Sequence, residues 1–168
     1  NPAGPFVDNS SAPLACPLEL GGAIDASMIK VNGSPYLIYK SDGNCCSLPT
    51  TIWSQPLSSD LLSVTGTPTA LITNDQAWEA DVVEGPEMIQ VGSQLWLFYS
   101  GNDWNTANYG VGYAKCASVT GPCTKPSSSA LFTSTPDAVS TGGQTFVIQG
   151  TRAGMAYHGW MPGQVNTS

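Results

Sequence analysis

Two acidic side chains offer acid–base chemistry. Asp25 lies in Gly22-Ala23-Ile24-Asp25-Ala26-Ser27-Met28-Ile29 and Glu84 in Val82-Val83-Glu84-Gly85-Pro86-Glu87-Met88-Ile89, and they read as matching places of a repeat. Carboxyl groups brought into one site alter each other's proton affinity, and one that stays protonated at neutral pH is a general acid. Glu84 follows Val82 and Val83, so desolvation and the negative charge of Asp25 are both expected to raise its pKa. The alternative for both residues is that they are strand-end carboxylates capping backbone amides.

Other side chains divide between chemistry and structure. Glu87 is three residues beyond Glu84, so on a strand it faces the opposite way and reads as structural or solvent-facing. Asp8, Asp42, Asp60, Asp75, Asp103 and Asp137 sit in Ser/Gly/Asn-rich stretches where turn formation is the default role. Glu79 and Asp81 stay as possible loop ligands. Five tryptophans are many for this length, and an exposed indole can stack on a sugar ring. Trp96 alternates within an apolar strand and reads as core. Trp104, in the polar stretch Gly101-Asn102-Asp103-Trp104-Asn105, is the first stacking candidate, followed by Trp78; with Asn102 they form the expected substrate-binding set. His158 is the single histidine, without a G-x-S-x-G elbow, and reads as a strand-end histidine. Arg152 reads as solvated.

Five cysteines are present, without metal-ligand spacing. Cys116 and Cys123 flank a short loop that a disulfide would close. Two disulfides with one leftover thiol, or mostly reduced core cysteines, both fit, and the pairing of Cys16, Cys45 and Cys46 stays open. No metal site is expected. Sequons begin at Asn9, Asn32 and Asn166, and with the cysteines they suggest an extracellular, secreted protein.

The elements that must position these residues follow from the repeat. Met28 and Met88 stand 60 residues apart, as do Tyr39 and Tyr99; a third copy runs from Gly142 through Phe146-Val147 to Met155-Ala156-Tyr157-His158, with Tyr157 lying 58 beyond Tyr99. The chain has 18 Gly and 13 Pro with only 10% charged residues, a mixture that suits short strands and tight turns. The reading is all-β, built from antiparallel four-stranded blades of a β-propeller. Residues 1–22 read as the tail of a preceding blade, 23–81 as the blade with Asp25, 82–140 as the blade with Glu84, and 141–168 as an incomplete blade. In the first full blade strands are expected at Asp25–Val31, Pro35–Lys40, Thr51–Leu57 and near Leu71-Ile72, with a type I′ turn at Asn32-Gly33. In the second they are expected at Gly85–Val91, Gln94–Ser100, Tyr109–Lys115 and Leu131-Phe132. Three such modules do not close a ring, so the chain reads as a central fragment whose partners are the remaining blades or other copies of itself.

A net charge of −7 provides no basic stripe for nucleic acid, and no apolar run approaches a membrane span. A neutral, polar substrate fits this surface best.

An ordered series of motifs then carries a resemblance. Gly4-Pro5-Phe6, Ile24-Asp25-Ala26-Ser27, Trp53-Ser54-Gln55-Pro56-Leu57-Ser58, Trp78-Glu79 and Val83-Glu84-Gly85-Pro86 are followed by Leu97-Phe98-Tyr99-Ser100-Gly101-Asn102, Val111-Gly112-Tyr113-Ala114 and Ala156-Tyr157-His158-Gly159-Trp160. The series resembles glycoside hydrolase family 43, five-bladed propellers acting mainly on arabinose- and xylose-containing polysaccharides. The resemblance implies inverting hydrolysis, with Glu84 as general acid and Asp25 as the residue that orients it and tunes its pKa. The general base has no counterpart in this chain. Ala26 stands where the family often has Pro. No cofactor is required, although some members hold calcium. The other readings are a non-catalytic carbohydrate-binding propeller and a structural assembly module.

Overall fold

The computed structural model describes residues 3–149 and 152–165; the sequon at Asn166 and part of the turn at 150–153 lie outside the described residues. Among the described residues, ten strands form three antiparallel sheets. The first sheet runs β1 (Ala23–Val31), β2 (Ser34–Ser41), β3 (Thr51–Pro56), β4 (Thr69–Thr73) in spatial order. The second runs β5 (Val83–Val91), β6 (Gln94–Gly101), β7 (Gly110–Cys116), β8 (Cys123–Thr124). The third has two strands, β9 (Val139–Gln149) and β10 (Arg152–Trp160). Among the described residues, no helix is long and apolar enough to cross a membrane.

Local chemistry explains the hairpins. Asn32 (φ 50°) and Gly33 (φ 83°) both take the positive φ that a two-residue I′ turn demands. Alternation then sorts side chains to the two faces of each sheet. On β2, Ile38 points into the core shared with the second sheet, while Leu37 and Tyr39 point to a smaller cluster with Trp53, Leu57 and Ala15. The shared core joins Ile29, Ile38, Ile52 and Ile72 of the first sheet to Val83, Met88, Leu97 and Tyr99 of the second. The second sheet packs its other face on the third, with Phe98 against Phe146 at 4.4 Å. Blades therefore stack face to face.

The outer strand of the second sheet differs from the sequence expectation. It is Cys123–Thr124, paired with Lys115 and Cys116 and fastened by the Cys116–Cys123 disulfide. Phe132 makes only an isolated bridge to Val111, further along the same edge of β7. The disulfide brings the chain back onto β7 within seven residues, so that part of the edge is taken before Leu131 and Phe132 arrive. Cys45 is bonded to its neighbour Cys46, and Cys16 is a free, exposed thiol.

Register also revises the equivalence of the two acids. Ile24 pairs with Lys40, Glu84 with Ser100, and Gly142 with His158, so Glu84 corresponds to Ile24 and Asp25 to Gly85. Asp25 (φ 55°), Gly85 (φ 55°) and Gly143 (φ 57°) occupy the same bulge in successive inner strands. The bulge needs a residue that tolerates a left-handed backbone, which Gly and Asp do best. Asp25 and Glu84 are thus one residue out of step in the repeat.

Candidate active site

Glu84 stands at the head of β5, where the bulge at Gly85 interrupts the ladder and turns its side chain toward the ends of β2 and β7. Two side chains hold it. Lys40 Nζ donates to Oε2 at 3.1 Å and Tyr109 Oη donates to Oε1 at 2.7 Å. Lys40 is fully buried and also reaches Asp42 at 3.3 Å. Burial first, and then the Glu84 carboxylate, push the Tyr109 phenol well above the usual tyrosine range, so it stays a hydrogen-bond donor. The surroundings of Glu84 thus contain a cation, Lys40, that the sequence reading did not place there.

Asp25 approaches the same point by another route. Its Oδ2 accepts the Gly85 backbone N–H at 2.9 Å, so it holds the peptide beside Glu84 rather than the Glu84 carboxyl. That is the backbone-capping contact of the alternative reading. The chain of bonds continues across the inner strands. Gly85 O accepts from Gln144 Nε2 at 2.7 Å, and Ser100 Oγ donates to Gln144 Oε1 at 3.1 Å while accepting the Gly143 N–H at 2.8 Å. Lys40 and Ser100 are equivalent in the repeat, and each reaches the inner strand of the following blade. Glu87 does similar work by accepting the Phe146 N–H.

A cleft of about 660 Å³ opens beside Glu84, with Leu48 and Pro49 on one wall and Asp81, Asn102 and Trp104 on others. Trp104 is 53% exposed and stacks on Trp160, with ring centres 5.9 Å apart. Asn102 lines the cleft, but its amide donates to Trp78 O at 2.7 Å. Trp78 itself stands away from the cleft: it packs on Tyr99 at 5.9 Å and on the shared core, because Gly101 and Gly112 leave room for its ring there. Glu79, a possible loop ligand by sequence, is completely buried and committed to Tyr99 and Lys125. Asp25 lines a separate channel with Met28, Glu87 and Gln144 along the inner strands.

His158 is exposed and stacks on Tyr109 at 6.1 Å. Among the described residues, no three His, Cys, Asp or Glu side chains converge in a way that would hold calcium or another metal.

Lys40 and Tyr109 are the site residues that sequence reasoning missed. The repeat held a signal for Lys40, since it takes the place of Ser100 at the end of an apolar strand where a solvated lysine would be out of character.

Comparison with known proteins places this geometry. The family model described as "Glycosyl hydrolases family 43" matches residues 1–167. Among solved structures, the chain is 27% identical to a thermostable family-43 glycoside hydrolase, with a TM-score of 0.73, covering 82% of this chain and 49% of that one. It is 26% identical to an endo-1,4-beta-xylanase from Bacteroides thetaiotaomicron, with a TM-score of 0.83, covering 99% of this chain and 57% of that one. An endo-arabinase from the same organism, 21% identical with a TM-score of 0.76, shares the fold over 94% of this chain and 58% of its own. The chain therefore spans about half the length of the structures it matches. No curated protein matches it.

Proposed function

Because this chain belongs to glycosyl hydrolase family 43, we propose that the protein carrying it hydrolyses glycosidic bonds in xylose- or arabinose-containing polysaccharides with inversion of configuration. The observation that carries the reading is Glu84 in an open cleft, gripped by Lys40 and Tyr109, with the exposed Trp104 lining the same cleft. When Glu84 carries a proton it gives it to the departing glycosidic oxygen as the bond to the anomeric carbon breaks, and becomes the carboxylate that Lys40 and Tyr109 hold. A water on the opposite face of the ring loses a proton to a carboxylate base and forms the new bond, which inverts the centre. No residue of this chain takes the base position by motif, and we assign that role to a blade outside residues 1–168. Asp25 acts as a positioning residue through the Gly85 amide, and Trp104 stacks on a sugar ring. The two disulfides suit export into an oxidising compartment.

The test is Glu84→Gln in the protein that carries this chain, assayed on xylan, arabinan and the corresponding aryl glycosides. Turnover of the polymers should fall by about 10²–10⁴-fold, and by much less for aryl glycosides whose leaving group needs no proton. Polymer hydrolysis at the parent rate would overturn the assignment. Polymer binding without hydrolysis, by the parent protein itself, would make it a carbohydrate-binding propeller.

A further inference from the structure

The loop that carries Trp104 is tied down in an unequal way. Within it, Asn105 N donates to Asp103 Oδ1, Thr106 N to Asp103 O, and Asn108 N to Thr106 Oγ1, all bonds internal to the loop. At its start Asn102 bonds back to Trp78, Glu79 and Val82, and beyond that the outward tie is the Trp104 carbonyl oxygen, which accepts two donors from the third sheet. Ser140 Oγ donates to it at 2.9 Å and Trp160 Nε1 at 3.0 Å. Trp160 also lies almost parallel to Trp104, with 17° between the rings. Ser140 is 1% exposed and holds φ at 58°, a left-handed backbone that serine seldom adopts. A strained, buried serine whose hydroxyl is committed to a neighbouring blade's loop is the kind of arrangement found where geometry serves a site.

We propose that Ser140 and Trp160 are positioning residues that lock Trp104 as the wall of a sugar-stacking subsite in the Glu84 cleft. This rests on the hydrolase reading above and adds to it what fixes the sugar-facing indole. Trp160 covers part of one face of Trp104 and clamps its peptide, while the rest of the indole remains open to the cleft. The ligand is a pyranose or furanose ring of a neutral oligosaccharide, bound through its C–H face. Two donors on one carbonyl restrict the loop before the sugar arrives, so less ordering is required on binding.

The experiment uses the protein carrying this chain, with Trp104→Ala, Trp104→Phe, Trp160→Phe and Ser140→Ala each made in a Glu84→Gln background that blocks turnover. Dissociation constants for xylohexaose and for linear arabinohexaose are measured by calorimetry, beside the circular-dichroism exciton couplet of the paired indoles and the thermal midpoint. Trp104→Ala should weaken binding of one hexasaccharide by about tenfold or more, with Trp104→Phe between it and the parent. Ser140→Ala should weaken it by about fivefold and reduce the couplet, each at a nearly unchanged midpoint. Trp160→Phe, which keeps a ring but loses the donor, should weaken binding similarly. If Ser140→Ala and Trp160→Phe bind like the parent while Trp104→Ala does not, the positioning role is overturned. If Trp104→Ala binds like the parent and the unmutated protein cleaves polymer, the subsite is overturned and the hydrolase reading stands. If the parent binds neither hexasaccharide and the unmutated protein cleaves neither xylan nor arabinan, the hydrolase reading falls and the subsite with it.

Discussion

Lys40 is the side chain with most at stake near Glu84. An ammonium with no exposed surface is tolerated only when its charge is met, and here Glu84 and Asp42 meet it. The pair is charge-assisted and screened on the lysine side, while Glu84 keeps 16% of its side chain open to the cleft. Unfolding energies of the parent, Lys40→Met, Glu84→Gln and the double variant should therefore show a coupling of about 2 kcal/mol. Additive energies across that cycle would mean the ion pair contributes no stability. Asp25 and Glu84 illustrate how similar carboxylates are committed differently. One is used on a backbone amide and the other faces open space between a cation and a phenol.

Among the elements, the inner-strand bulge does the positioning. Gly85 and its counterparts Asp25 and Gly143 turn the strand at the head of each blade, and the Glu84 side chain stands where that turn interrupts the ladder. Gly85→Ala meets no close contact, since its new methyl would sit 3.5 Å from Ser100 Oγ. Its cost is the left-handed backbone alone, about 1–2 kcal/mol. Gly142→Ala is a different case, because the added methyl would overlap the Tyr109 ring and crowd Ser100 Oγ at 2.8 Å. That substitution should cost about 3 kcal/mol and displace the phenol from Glu84, lowering activity as well. Urea titrations of the two variants check the contrast, and equal losses would contradict it.

At the scale of the molecule, buried phenols sit where the sheets meet: Tyr99 in the core shared by the first two sheets and Tyr109 against His158 of the third. Tyr99 is 1% and Tyr109 3% exposed. Burial first, then Glu79 for Tyr99 and Glu84 for Tyr109, raise both above the ordinary value of 10.0. A folded-state pKa above the unfolded one means the folded state holds the proton more tightly. The stability these groups contribute is complete below pH 10.0 and declines as pH climbs beyond it. Urea midpoints should fall from about pH 10 upward, and the decline should be shallower in Tyr99→Phe and Tyr109→Phe. An unchanged slope in both variants would show that other groups govern alkaline unfolding.

Much of this architecture was legible in the chain. Alternation in Tyr36-Leu37-Ile38-Tyr39 and Leu95-Trp96-Leu97-Phe98-Tyr99, the Asn32-Gly33 turn and the sixty-residue repeat are local properties, and a strand's period of two expresses them directly. They specified antiparallel blades and the approximate strand limits, while the Cys116–Cys123 closure stayed one of two open readings until the structure showed it. What depended on contacts between blades was not legible. That Trp78 turns inward is settled by small residues on two neighbouring strands, Gly101 on β6 and Gly112 on β7. That Lys40 meets Glu84, 44 positions away, follows from how two sheets stack, and no spacing along one strand encodes it. The offset of Asp25 from Glu84 is likewise a matter of bulge register. Sequence patterns report which face of an element is apolar; which charged or aromatic groups then confront one another is decided when those faces pack.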